Sequence, residues 1–184
     1  TSPTREIDNE KVIAMMVGRE MTERFPPSTR SPAEAIMEVR HWTVDSEDQQ
    51  DRKAVTDVSF SLRKGEILGI AGLMGSGRSE LVLSLFGEYG KNRNGTVTIN
   101  DRPVKIDSAR EAMKNGISLV PEDRKRMGLV IEQSILENIS LPNLDMFASF
   151  LSINKHLEIQ ECETMARDLA IKTPTLHALV SSLS

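Results

Sequence analysis

Gly72-Leu73-Met74-Gly75-Ser76-Gly77-Arg78-Ser79 is the stretch of this chain whose residue types and spacing could do chemistry. Its glycines permit tight bends and let backbone N–H groups turn inward, as a loop around phosphate oxygens requires. The spacing fits the phosphate-cradling pattern G-x-x-x-x-G-K-[ST] except that arginine stands at the lysine position. Arg78 keeps the positive charge and can bind phosphate through two parallel N–H donors. Its planar fork is bulkier than an ammonium and need not follow charge into a transition state, so binding can survive the exchange while hydrolysis suffers. Ser79 falls where a hydroxyl ligates Mg²⁺ beside terminal phosphates. The dinucleotide pattern G-x-G-x-x-G fails because Glu80 occupies its third glycine position. The bland alternative is a glycine-rich turn between a strand and a helix.

A phosphate loop must follow a buried strand and open a helix. Upstream, Glu66-Ile67-Leu68-Gly69-Ile70-Ala71 follows the turn signal Lys64-Gly65 and predicts a parallel strand covered on both faces. Downstream, Leu81 with Leu85 and Val82 with Phe86 lie at helical spacing from Ser79 to Phe86, which aims the positive end of a helix dipole at the loop.

The chain has 184 residues, enough for one full domain with a core and pieces of another. Its net charge of −4, with basic residues spread along the chain, gives no reason to propose a nucleic-acid surface. A single cysteine, Cys162, excludes an internal disulfide and suits a reducing compartment. No apolar run approaches the roughly 20 residues of a membrane-spanning helix, and no signal-peptide pattern opens the chain.

In chain order, Asp8 can cap a helix carrying Val12, Ile13, Met15, Met16 and Val17, ended by Gly18. Too short and apolar to live alone, it reads as the tail of a preceding domain over residues 1–25. Proline-rich residues 26–34 read as a linker, and residues 35–184 as a second domain. Alternation of Ile36, Glu38 and Arg40 with Met37, Val39 and His41, then Trp42 and Val44, predicts an edge or half-buried strand. Residues 46–53 predict a solvated surface loop of variable conformation. Val58, Phe60 and Leu62 alternate with polar residues, so an antiparallel layer is expected beside the phosphate-loop strand.

Thr96–Ile99 and Val104–Ile106 suggest a hairpin around Asn100-Asp101-Arg102-Pro103. Ser108 can cap a helix to Lys114, with Ala109, Ala112 and Met113 inward and Asn115-Gly116 as its stop. Ile117-Ser118-Leu119-Val120 predicts another buried strand, ending at the charged run Pro121 to Arg126, where open α/β sheets keep a ligand crevice and where a solvated loop is the rival reading. Ser134 can cap a helix to Ile139 that Leu141-Pro142 ends or kinks. Farther on, Ile159, Cys162, Met165, Ala166 and Leu169 share one helical face, with Glu158, Glu161, Glu163 and Asp168 opposite. Cys162 is thus expected to be a packed thiol. His156 and His177 lack a second ligand at metal spacing.

The ordered segments "VSFSLRKGEILGIAGLMGSGRSEL", "NGTVTINDRPVKI", "GISLVPEDRKRMGLV" and "ILENISL" resemble the second nucleotide-binding half of tandem ATP-binding subunits in bacterial ABC-type monosaccharide importers, of which the ribose, xylose and galactose systems are examples. "VIAMMVGRE" resembles the end of their first half. The resemblance implies a P-loop NTPase core of the ABC ATPase type, α/β, with an antiparallel β layer and the beginning of a helical subdomain. It implies ATP and Mg²⁺ as ligands, with Gly72, Leu73, Met74, Gly75, Ser76, Gly77, Arg78, Ser79 and Glu80 forming the nucleotide site and Ser79 near the metal. Glu122 would replace the glutamine that senses the γ-phosphate, and residues 124–144 would approach the permease. Leu183-Ser184 would begin the signature motif, so the catalytic set is expected to be incomplete here. Implied partners are membrane permease subunits, the first nucleotide-binding half or a second copy and, indirectly, a sugar-binding protein, at the cytoplasmic face of the bacterial inner membrane.

Against that pattern, no aromatic residue stands between Val44 and Asp48, where one ordinarily stacks on adenine, and Trp42 reads better as core. The expectation is a half that binds nucleotide with weak or no hydrolysis. A P-loop ATPase unconnected to transport and a structural half that binds no nucleotide are the alternatives.

Overall fold

The computed structural model describes residues 33–149 and 152–183, together with Val12, Met15 and Met16. Apart from those three, the helix expected near residues 8–18 lies outside the described residues, as does nearly all of the linker. The chain divides into two compact units, one ending at Ile117 and the other running from Ser118 to Ser184.

The first unit is built on an antiparallel sheet of β1 (Ala35–Asp45), β2 (Lys53–Arg63), β3 (Arg93–Ile99) and β4 (Arg102–Val104), in the order β2-β1-β3-β4. The expected antiparallel layer is therefore present, but β1 is an interior strand, paired on both sides. Its alternation misleads because it is interrupted: the register on each side slips near His41, which has φ 53°. This bulge changes the parity of the strand. Val39, before it, and Trp42 and Val44, after it, all reach the core, while His41 stays exposed. The backbone displaced there crowds Gly95, where a Cβ would come within 2.6 Å of the Arg40 oxygen, at φ 115°.

The sheet packs on helix α1 (Arg78–Leu85), and Val39, Trp42, Val44, Val55, Leu81, Leu85 and Val97 form one buried cluster. The hairpin between β3 and β4 closes through Asn100 and Asp101 alone, with Ile99 opposite Arg102 and φ of 48° and 61° at the turn. Positive φ at both turn residues matches the right-handed twist of the strands, and Asn and Asp tolerate it better than other side chains. Pro103 sits in an edge strand, where its missing N–H costs little. Helix α2 (Ala109–Lys114) starts at Ser108, whose hydroxyl accepts from the Glu111 N–H, and stops at Asn115 and Gly116. Ala112 is buried, whereas Met113 is exposed, contrary to its expected inward position.

The two expected parallel strands do not form. Residues 66–71 and 117–120 carry no strand pairing among the described residues, and Ile67 is 98% and Val120 85% exposed. Apolar residues on both faces suit them to burial, yet a parallel strand exists only through hydrogen bonds to strands beside it. No described strand takes that place.

In the second unit, α3 (Ile135–Ser140) begins with a capping box. The Ser134 hydroxyl accepts from the Glu137 N–H, and the Glu137 carboxylate accepts from the Ser134 N–H at 2.8 Å. A 3₁₀ turn at Leu141–Asn143, α4 (Leu144–Phe147), the β5 (Ala148–Ser149) and β6 (Ser152–Ile153) pair, and α5 (Lys155–Asp168) follow. Cys162 is fully buried with its Sγ 3.8 Å from the Leu136 carbonyl, and burial pushes its thiol pKa up, so it packs as a neutral thiol. Glu158, expected on the wet face, is only 1% exposed. It lies one turn before Cys162 on the same stripe, and its carboxylate accepts from Ser140 at 2.8 Å and from Lys155 at 2.9 Å. Leu169, expected on the apolar face, is past the helix end and exposed. Among the described residues no helix is long and apolar enough to cross a membrane.

Candidate phosphate-binding site

The loop from Gly72 to Ser79 lies in the first unit and leads directly into α1. Ser76 N–H donates to the Leu73 carbonyl at 3.2 Å, closing a tight turn that leaves Leu73 and Met74 exposed. Gly75 and Gly77 have φ of +75° and +86°, a region that L side chains enter only at a cost. They need glycine for different reasons. A Cβ on Gly75 would point into open space, while a Cβ on Gly77 would overlap the Ala54 carbonyl oxygen and approach Val55. Gly77 therefore lets the loop lie directly against the start of β2.

Gly77 is also the N-cap of α1 and offers no side chain to the first-turn N–H groups. The helix begins bonding when the Leu81 N–H reaches the Gly77 carbonyl at 2.8 Å. The N–H groups before it lack intrahelical acceptors, which makes the turn receptive to an anion. Arg78 and Ser79 are exposed at this end, and Glu80 is half-buried in the first turn. Among the described residues no carboxylate forms an ion pair with Arg78.

Three contacts fix the helix that presents the loop. The Trp42 indole donates to the Ser84 hydroxyl at 2.9 Å, and that hydroxyl donates to the Leu81 carbonyl at 2.8 Å. Arg93 donates to the Ser84 carbonyl at 3.0 Å, placing a cation near the negative end of the helix. Trp42 is thus core, as its strand context suggested. Sequence reasoning did not see Ser84 or Arg93, because a bond spanning 42 residues leaves no local pattern. Replacing Ser84 with alanine orphans a buried indole N–H, so a loss of about 2 kcal/mol is expected in urea denaturation. A loss below about 0.5 kcal/mol would show that the bond does not brace the helix.

The donor set fits phosphate: backbone amides, a guanidinium and a hydroxyl, around glycines in conformations that L side chains rarely adopt. For Mg²⁺ the chain offers the Ser79 hydroxyl. Among the described residues no group of three or more His, Cys, Asp or Glu side chains could hold a metal. Glu122 lies in the second unit, exposed, just before a π-helical turn at Arg124–Gly128. There the Asp123 carboxylate accepts from the Arg126 N–H at 3.1 Å, giving the charged run an ordered start.

The family model described as ABC transporter matches residues 55–184. The chain is 42% identical over 184 residues to the xylose import ATP-binding protein XylG of Thermoanaerobacter pseudethanolicus, covering 100% of this chain and 36% of that protein. It is 39% identical over 181 residues to the ribose import ATP-binding protein RbsA of Clostridium tetani, covering 98% and 34%. The chain thus spans about a third of the length of these curated relatives. A crystal structure of a nucleotide-free ATP-binding cassette from an ABC transporter matches with a TM-score of 0.57 at 21% identity, over 82% of this chain and 60% of that one, a likeness of fold alone. With the family match covering most of its residues, the chain belongs to the ABC transporter family.

Proposed function

We propose that this chain is the ATP-binding part of a sugar importer subunit, from its second nucleotide-binding half, and that Gly72 to Ser79 hold the phosphates of ATP. The observation that carries this reading is the pair Gly75 and Gly77 at positive φ, opening α1 beside Arg78, which pairs with no carboxylate among the described residues. Loop amides and Arg78 would hold the phosphate oxygens, and the Ser79 hydroxyl would take one position on Mg²⁺. The metal, when bound, supplies charge neutralisation between phosphates. The planar fork of Arg78 can bind phosphate through parallel N–H donors but need not follow charge into a transition state, so this half is assigned to nucleotide binding and gating with weak or no hydrolysis. The relatives' names, xylose and ribose import, support a five-carbon sugar as cargo. The partners would be permease subunits at the inner membrane's cytoplasmic face, approached by residues 124–144 and Glu122, and a first nucleotide-binding half.

The test is equilibrium binding of a fluorescent ATP analogue with Mg²⁺. Saturable binding is expected, weakened about 10- to 100-fold in Arg78→Ala by loss of a charge-assisted hydrogen bond. Absence of binding by the folded chain would favour the structural half that binds no nucleotide. In the complete subunit, Lys→Ala in the first half's phosphate loop is expected to remove most hydrolysis, and normal hydrolysis by that variant would overturn the division of labour.

A further inference from the structure

Arg93, at the start of β3, carries its cation into the first unit with a side chain only 12% exposed. Its Nη1 donates to the Ser84 carbonyl at 3.0 Å, and that carbonyl also accepts from the Gly87 N–H at 3.2 Å. Its Nη2 lies 3.7 Å from an Asp107 carboxylate oxygen. Asp107 is itself held in place: its N–H donates to the Glu111 carboxylate at 2.6 Å, and its own carboxylate pairs with Lys105 at 2.6 Å. Gly87, at φ +89°, is pressed against the cap of α2, where a Cβ would come within 2.6 Å of the Ser108 backbone. The C-terminal end of α1 is therefore fixed both to β3, through Arg93, and to the start of α2.

The phosphate loop lies at the other end of the same helix. At 1.5 Å per residue α1 is a rod of roughly 12 Å, so a slide of its C-terminal end along the axis carries the first-turn N–H groups with it. The charge of Arg93 works in the same direction. Asp107 sits nearer Lys105, at 2.6 Å, than Arg93, at 3.7 Å, so it orients the guanidinium without answering its charge in full. A cation this far buried is screened less than one at the surface, and its field reaches an anion at the far end of the helix.

We propose that Arg93 is a positioning residue for the phosphates of a bound nucleotide: oriented by Asp107, it holds α1 where the first-turn N–H groups meet the phosphates, and it adds a weakly screened attraction from behind them. This role rests on the reading of Gly72 to Ser79 as a nucleotide site. Because Arg93 acts only through the placement of α1 and through its charge, it bears on the phosphates and not on the nucleoside.

The test uses the full chain and two probes, MgATP and magnesium tripolyphosphate, titrated calorimetrically into wild type, Arg93→Met, Arg93→Lys and Asp107→Asn, each checked for folding by circular dichroism. Arg93→Met is expected to weaken both probes by the same factor, at least threefold. Arg93→Lys keeps the charge and a donor for the Ser84 carbonyl, and is expected to stay within twofold of wild type. Methionine and lysine fill the stem's space about equally, so a role in packing alone would move both variants alike and would overturn the proposal. Unchanged affinity in Arg93→Met, or a loss confined to MgATP, would overturn it as well. Asp107→Asn frees the guanidinium and leaves its charge, so its affinity for both probes is expected to fall between those of Arg93→Met and wild type. Wild type that binds neither probe would instead remove the nucleotide reading itself. If Arg93→Met does not fold, Asp107→Asn decides: equal weakening of both probes supports the role, and unchanged affinity overturns it.

Discussion

Gly77→Ala is expected to abolish MgATP binding and to destabilise the chain by about 3 kcal/mol, whereas Gly75→Ala costs only about 1 kcal/mol of stability. Both glycines sit at positive φ, so both substitutions carry the strain of a left-handed alanine, about 1–2 kcal/mol. Only at Gly77 does the added carbon also meet backbone, the Ala54 carbonyl oxygen, which cannot rotate away as a side-chain end would. Either the loop lifts off β2 or the strand start moves. Each outcome displaces the first turn of α1 and scatters the amides that would surround a phosphate.

The measurement is a pair of urea titrations alongside ATP-analogue binding. A Gly77→Ala chain as stable as Gly75→Ala would show that the loop does not rest on Ala54. A destabilised Gly77→Ala chain that still bound nucleotide normally would show that the contact supports the fold without shaping the site.

How far such contacts are legible in sequence depends on their range. The phosphate loop, the Ser108 and Ser134 caps, the Asn115-Gly116 stop and the Asn100-Asp101 turn are set by neighbouring residues, so spacing alone exposes them. The bulge at His41 is different. It depends on how β2 and β3 pair with β1, and an alternation count carried through it assigns the wrong face to every later residue. Residues 66–71 and 117–120 show the converse: their apolar composition records fitness for a parallel sheet, and composition cannot supply the neighbouring strands that would form one. At the candidate site, glycine spacing located the loop. What braces it, Ser84 and Arg93, lies on segments with no local signature of that role.

Glu158 is the largest misreading and yields the second large effect: Glu158→Ala is expected to destabilise the chain by about 2 kcal/mol at pH 7, an advantage of the wild type that fades on acidification. A glutamate on a helix is ordinarily assigned to water, but here the carboxylate joins α5 to Ser140 on α3, with Lys155 reaching in from the surface. The hydrogen bond from Lys155 chiefly holds its pKa below the ordinary glutamate value; burial works the other way, and Ser140 helps lower it. A carboxylate whose pKa is lower folded than unfolded stabilises the native state fully above its unfolded pKa, and loses that contribution as pH falls through the folded value. Glu137 is also held low, by its bonds to Ser134, so wild type alone would report both groups. The difference between wild type and Glu158→Gln, followed by urea denaturation from pH 7 to about pH 3, separates them, because Glu137 is common to both chains. That difference is expected to shrink steadily toward acid. A gap that stayed constant or widened there would mean that Glu158 supports the helix pair through packing and neutral hydrogen bonds, with its charge contributing nothing.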